Sequence, residues 1–271
     1  MVEITDKEFL VLSQYIQYNY GIHLRKEKKT LVTGRLHSVL NESNCRNFTD
    51  YLNLIKSDRT GKEVTRLLNK ITTNHTFFMR EADHFEYFKD KILPYLHKTV
   101  RDKDLRIWSA GCSSGEEPAT LAMIINDYFG REKMWWDTKV LATDISDRAL
   151  QIAKTGKYSN EQLVSLPMNW RNNYFRKVNS ENSVLIDNIR NEIIYRRFNL
   201  MDEVFPFKKK FHVIFCRNVM IYFDNKTKME LVNKFYDLTE SGGYLFIGHS
   251  ESLDKEKTRY KYVLPAVYRK Q

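Results

Sequence analysis

Cysteine is scarce: Cys45, Cys112 and Cys216 are odd in number, widely spaced and never paired as Cys-x-x-Cys. That pattern excludes a disulfide framework and a zinc site of the usual spacing, and it fits a reducing, cytoplasmic setting. No apolar run approaches the ~20 residues of a membrane span. The start, Met1-Val2-Glu3-Ile4-Thr5-Asp6, has neither a basic end nor an apolar core, so no secretory signal is expected. Internal repeats and low-complexity tracts are absent. Negative charge is the minority sign, with 34 Asp and Glu against 44 Lys and Arg, a net charge of +10 and a pI near 9.3. Such an excess favours an acidic partner, either nucleic acid or a carboxylate-rich protein surface. With 271 residues, 42% of them hydrophobic, the chain has enough material for one large or two modest cores.

What is present changes character along the chain. Thr5-Asp6-Lys7-Glu8 is a capping-box pattern, followed by Phe9, Leu12 and Ile16 on one helical face and by Gly21 as a stop. A second helix is predicted from about Lys26 to Asn41, and shorter ones over Phe48–Ile55 and Val64–Ile71. Residues 1–72 therefore read as an all-α N-terminal domain. The polar, unpatterned stretch from Thr72 to Glu81 reads as a loop, and loops carry function more often than core segments do. A helix from Asp83 to Leu93, closed by Pro94, and a charged linker over 98–104 complete a connecting segment, 73–103.

From Leu105 strands and helices alternate. Strands are predicted at 105–109, 139–143, 193–198, 211–216, 244–248 and 260–268, with helices at 117–129, 147–154 and 225–239. The strands are apolar runs, as parallel strands covered on both faces must be. The predicted class is α/β, a Rossmann-like sheet over 104–271. A small β-subdomain is inserted at 156–192, where the alternation breaks around Val184-Leu185-Ile186.

The first strand runs into Gly111-Cys112-Ser113-Ser114-Gly115-Glu116-Glu117-Pro118. Small residues let a ligand approach the backbone, and the following helix aims its unpaired N–H groups at the same place. The loop is not the G-x-G-x-x-G of dinucleotide binders, and its two acids disfavour a pyrophosphate. A ligand with hydroxyls and positive charge, such as S-adenosylmethionine, suits it better, although both acids also complement the helix dipole. Asp144 ends the second strand, where an acid takes ribose hydroxyls, or else caps the next helix. At the end of the fourth strand, Arg217, Asn218 and Tyr222 are expected to face a ligand, and Phe198-Asn199-Leu200 offers an adenine contact. No Asn-Pro-Pro-Tyr follows that strand, which weighs against base methylation. A Cys/His nucleophile arrangement and a metal set are both missing. His75, His84 and His249 are expected to be structural.

Five stretches occur in one order over about 72–253: T-T-N-x-T-x-F-x-R-E, W-S-A-G-C-S-S-G-E-E-P, A-T-D-I-S, F-C-R-N-V-M-I-Y-F-D and G-H-S-E-S-L. Together they resemble the CheR family, bacterial chemotaxis-receptor glutamate O-methyltransferases. The resemblance implies cofactor contacts at Asn74, Thr76, Arg80, Glu117, Asp144, Asn199, Leu200, Arg217 and Asn218. It also places Arg80 and Tyr222 nearest the transferred methyl. One departure, Met79 where the family more often has phenylalanine, keeps the apolar character.

The resemblance further implies a cytoplasmic monomer that methylates glutamates in helical segments of membrane chemoreceptors, without nucleic acid and without entering the membrane. Lys26, Lys28, Lys29 and Arg35 lie outside the cofactor motifs. They are the expected docking face for an acidic receptor segment, with an ordinary solvated helix surface as the alternative. An RNA methyltransferase and a non-catalytic S-adenosylmethionine sensor are the competing readings.

Overall fold

The computed structural model describes residues 2–72 and 75–271, and the chain folds as two compact units. The first holds residues 1–75 with two returning segments, 199–201 and 222–228. Its helices are α1 (Asp6–Tyr20), α2 (Lys29–Glu42), α3 (Phe48–Ser57) and α4 (Lys62–Ile71). The capping box is formed: Thr5 and Glu8 exchange hydrogen bonds, and Glu8 also accepts the Thr49 N–H. Gly21 ends α1 at φ +69°, and a Cβ there would meet the Met201 sulfur at 2.4 Å. The expected single helix over Lys26–Asn41 is instead a 3₁₀ turn, Lys26–Lys28, followed by α2. The returning segments are stitched to α1 and its exit. Asn199 Nδ2 donates to Asn19 O (2.8 Å), Gln17 Nε2 to Asp224 (2.8 Å), and His23 N to Tyr222 O (2.7 Å).

The second unit begins at Thr76. Its first helical stretch is α5 (Ala82–Tyr87), a π turn over Phe88–Ile92 and α6 (Leu93–Thr99). Pro94 does not close a helix, contrary to the sequence expectation. It sits in the first turn of α6, where a missing N–H costs nothing, and the wider π turn carries the chain into it. The expected linker is correspondingly shorter, since α6 runs to Thr99 and Val100 is buried.

The alternating part contains β1 (Ile107–Ala110), α7 (Glu116–Phe129), β2 (Val140–Asp144) and α8 (Asp147–Thr155). Then come β3 (Lys157–Ser159), α9 (Met168–Tyr174), β4 (Phe175–Lys177), β5 (Asn182–Leu185) and α10 (Asp187–Arg190). The chain closes with β6 (Ile193–Arg197), β7 (Phe211–Cys216), α11 (Asn225–Asp237), β8 (Thr239–Ile247), β9 (Lys261–Leu264) and β10 (Val267–Arg269). The main sheet has the order β6-β2-β1-β7-β8-β10-β9, parallel through β8 and antiparallel beyond it. The last expected strand, 260–268, is two strands turning at Ala266 (φ +61°). Every residue of β1 and β7 is buried, because helices cover both faces. Trp108 fills one face, its indole N–H donating to Thr143 (2.9 Å) and its rings packed by Phe207, Phe211 and Phe235.

The inserted subdomain is a three-stranded antiparallel sheet, β3-β5-β4, rather than one β-like piece. Strand order reverses at β1, between β2 and β7. The loops leaving β1 and β7 therefore open onto one crevice at the strand ends, the usual ligand position in such sheets. Among the described residues, no helix is long and apolar enough to cross a membrane.

Candidate functional site

The loop after β1 is shaped by its glycines. Gly111 has φ +90° and Gly115 has φ +94°; a Cβ on the first would strike Val219 at 2.4 Å, and on the second Ala153 at 2.8 Å. Any side chain there faces both a disallowed φ and a clash. The N–H groups of Gly111 and Cys112 both donate to Thr143 O (2.8 and 2.9 Å), which ties the loop to the end of β2.

Asp144 completes that tie. Its two carboxylate oxygens accept the N–H groups of Ser113 and Ser146, each at 2.8 Å. Helix α8 is capped by Ser146 instead, whose hydroxyl accepts the Ala149 N–H, so Asp144 is free of the capping role. Burial pushes the Asp144 carboxyl up, and the N–H bonds of Ser146, Ser113 and Ile145 oppose that. The carboxylate keeps acceptor capacity for a further donor.

Glu116 and Glu117 open α7 and divide their tasks. Glu116 is fully buried, bonded by the Ser114 hydroxyl (2.8 Å) and approached by Gln162 of the inserted subdomain (3.4 Å). Glu117 accepts from Ser109 Oγ (2.7 Å) and from Arg217 Nη1 (3.2 Å). Burial raises both carboxyls, with Arg217 and Ser109 holding the Glu117 group back.

Arg217, expected from the sequence to face a ligand, is already engaged. Its guanidinium, with the side chain 3% exposed, spans two acids. Nε and Nη2 reach Glu81 Oε2 (3.2 and 3.1 Å), Nη1 reaches Glu117, Nη2 also meets Arg80 O, and the plane lies 4.9 Å from the Phe85 ring centre. Asn218, at φ +59°, donates its side-chain amide to Glu81 Oε1 (3.1 Å). Glu81 is thus the hub that sequence reading missed as a site residue. Burial acts to raise it, but Arg217, Asn218 and the His249 N–H outweigh burial and hold its carboxyl below the ordinary range.

Arg80 and Thr76 are half-buried on the segment leading into α5, with the Arg80 guanidinium 5.9 Å from the Phe77 ring centre. Asn74 lies outside the described residues. Asn199, Leu200 and Tyr222 belong to the first unit. There Tyr222 lines an open pocket with His23, Lys28, Leu31 and Arg35. Of the basic residues expected to dock an acidic partner, Lys29 pairs with Asp6 (2.6 Å) and Arg35 donates to the carbonyl of Ile71 (2.8 Å). Lys26 and Lys28 occupy the preceding 3₁₀ turn.

Glu81, His84 and His249 bring possible metal-ligand atoms within 4.8 Å of one another. A dication there would compete with Arg217 for Glu81, so an ion pair is the better use of that carboxylate. His84 is buried, and burial together with Arg217 and His249 lowers its pKa to about 4, leaving it neutral at pH 7. The thiols of Cys112 and Cys216 are buried and pushed well up. The donor set at the strand ends is therefore acid-rich and glycine-shaped, with one buried guanidinium already engaged. It fits a ligand bearing hydroxyls and positive charge, which S-adenosylmethionine is, better than a pyrophosphate.

Comparison with known proteins agrees with that chemistry. Residues 74–268 match the family described as CheR methyltransferase, SAM binding domain, and residues 7–72 match CheR methyltransferase, all-alpha domain. A chemotaxis protein methyltransferase of Borreliella burgdorferi is 40% identical over 99% of this chain and 96% of its own. One from Escherichia coli is 34% identical over 98% of this chain and 91% of its own. Both halves match in order, against relatives of nearly the same extent, and so the chain belongs to the CheR family of S-adenosylmethionine-dependent methyltransferases.

Proposed function

We propose that the protein transfers a methyl group to glutamate side-chain carboxylates of chemotaxis receptors in the cytoplasm, forming methyl esters. The observation that carries this reading is the pocket around Tyr222, whose polar lining is His23, Lys28 and Arg35. The Lys28 ammonium and Arg35 guanidinium beside a phenol suit a carboxylate and repel an ammonium. When bound, S-adenosylmethionine supplies an electrophilic methyl on a sulfonium. The resemblance assigns its binding to Thr76, Arg80, Glu117, Asp144, Asn199, Leu200, Arg217 and Asn218, with Asn74.

A glutamate, with an ordinary pKa of about 4.3, is ionised at pH 7 and needs no base. The protein's task is then orientation and charge placement. Tyr222 donates a hydrogen bond to the incoming carboxylate and aims one oxygen, while Arg80 holds a carboxylate of cofactor or acceptor. The described residues around Arg217 suit that division of labour. The thiols of Cys112 and Cys216 and the ring of His84 are buried, and His249 turns Nε2 toward Asp83 (3.1 Å).

Incubation with tritiated cofactor and receptor-bearing membranes should release volatile methanol on mild alkali. A methyl group stable to alkali, or one found on RNA, would overturn the reading. In the same assay, Tyr222→Phe should keep cofactor affinity within a few-fold and lower kcat more than it raises receptor KM. Unchanged kcat would reduce Tyr222 to a packing role. Reversing Lys26 and Lys28 to glutamate, together with Arg35, should lower receptor kcat/KM and flatten its salt dependence without changing cofactor affinity. Single exposed pairs are worth only ~0.2–1 kcal/mol, hence the combined change. Methylation insensitive to it would make this helix a solvated surface.

A further inference from the structure

The loop after β8, Gly248-His249-Ser250-Glu251, contains a buried acid with no part in the chemistry above. Glu251 is 6% exposed. Its Oε2 accepts the N–H of Asn218 (3.0 Å) and of Gly248 (2.6 Å). The N–H groups of Met220 and Ile221 also turn toward the carboxylate and favour its charged form, against the burial that raises it. Its Oε1 has no partner within hydrogen-bond geometry. One carboxylate thus gathers backbone donors from two segments, the turn after β7 and the loop after β8.

That turn does not hold itself. Asn218 stands at φ +59°, and a Cβ on Gly248 would lie 2.3 Å from its side-chain amide and 2.8 Å from its backbone nitrogen. The two backbones meet face to face, with converging N–H groups that would be left buried and unpaired without an anion between them. The same turn carries Arg217 and Asn218, both bonded to Glu81, and continues into the 3₁₀ turn Met220–Tyr222.

We propose that Glu251 is a positioning residue: it fixes the Arg217–Asn218 turn by collecting that turn's backbone N–H groups, and so sets the geometry of cofactor binding without touching cofactor or acceptor. The turnover readout rests on the function proposed above; the cofactor-binding readout does not.

The test uses the full chain with Glu251→Ala, Glu251→Gln and, as a distant buried control, Thr239→Val. Thr239 is buried between Phe235 O (2.7 Å) and the Tyr260 hydroxyl (2.6 Å). S-adenosylhomocysteine affinity is measured by calorimetry and methyl transfer with labelled cofactor. Glu251→Ala should lose at least tenfold in both, and tens of millimolar formate, whose carboxylate fits the vacated donors, should restore most of the loss. Glu251→Gln keeps one acceptor oxygen and should fall between wild type and Glu251→Ala. Thr239→Val should lower the melting temperature without changing affinity, and formate should not affect it. Wild-type affinity in Glu251→Gln, or in a folded Glu251→Ala, overturns the proposal. So does a loss that formate leaves in place and that Thr239→Val shows as well. If Glu251→Ala does not fold, the affinity of Glu251→Gln decides. If the wild type itself leaves receptor unmethylated, the function proposed above fails, and the binding arm still settles the role of Glu251.

Discussion

Replacing Arg217 with methionine should lower the unfolding midpoint of the sheet-bearing unit by roughly 6–12 °C and weaken cofactor binding more than tenfold. The guanidinium is buried between Glu81 and Glu117, so its removal strips two carboxylates of their ion-pair partner. Breaking a buried pair in this way costs about 3–5 kcal/mol, and at roughly 2–4 °C per kcal/mol the lower figure already gives the stated shift. The sign with pH follows from the acids. In the wild type, Glu81 is held below its ordinary pKa, so it contributes stability above the carboxylate range that is lost as pH falls. Without Arg217 both acids rise, and protonating them relieves the damage. The gap between variant and wild type should therefore be widest at neutral pH and narrow toward pH 4. Adding Glu117→Gln should recover part of the midpoint, since one stranded charge is gone. An Arg217→Met protein with wild-type melting and affinity would mean that the pair does not hold the site together.

Asp144→Ala should weaken cofactor binding about ten- to hundredfold, as expected for losing a hydrogen bond of roughly 1.5–3 kcal/mol to a charged group. Two causes contribute, because this carboxylate also clamps the N–H groups of Ser113 and Ser146. A cofactor analogue without ribose hydroxyls separates them: the part of the Asp144→Ala loss that persists with the analogue belongs to the loop, and the part that disappears belongs to the ribose contact. Calorimetry giving Asp144→Ala the wild-type affinity would remove the ribose assignment.

The parallel strands are legible in the sequence because burial on both faces demands uninterrupted apolar runs, as in Phe211–Cys216. The glycine loop is legible because its small residues stand next to a helix start. The inserted β-subdomain is legible only through its middle strand, near Val184-Leu185-Ile186: β3 and β4 are three residues long, with exposed lysines at Lys157 and Lys177, and show no period. Pro94 misleads because a proline that ends one helix and a proline that opens the next look alike without the π turn between them. Glu81 stands within a motif but carries no sign of being a hub. Its partners Arg217, Asn218 and His249 stand 136, 137 and 168 residues away, and only the fold brings them together.

Glu117 and Arg217 are 100 residues apart in the chain. A ribosome adding roughly 5–20 residues per second makes the acid some 5–20 s before its guanidinium. Until β7 emerges, the first turn of α7 cannot bury Glu117 as a paired charge, so that corner of the sheet waits for Arg217. Helices α2 to α4 depend mostly on near neighbours, whereas α1 and its exit also wait for the returning segments 199–201 and 222–228. The order of synthesis thereby makes the end of the sheet that holds Glu117 one of the last parts of the molecule to reach its final packing.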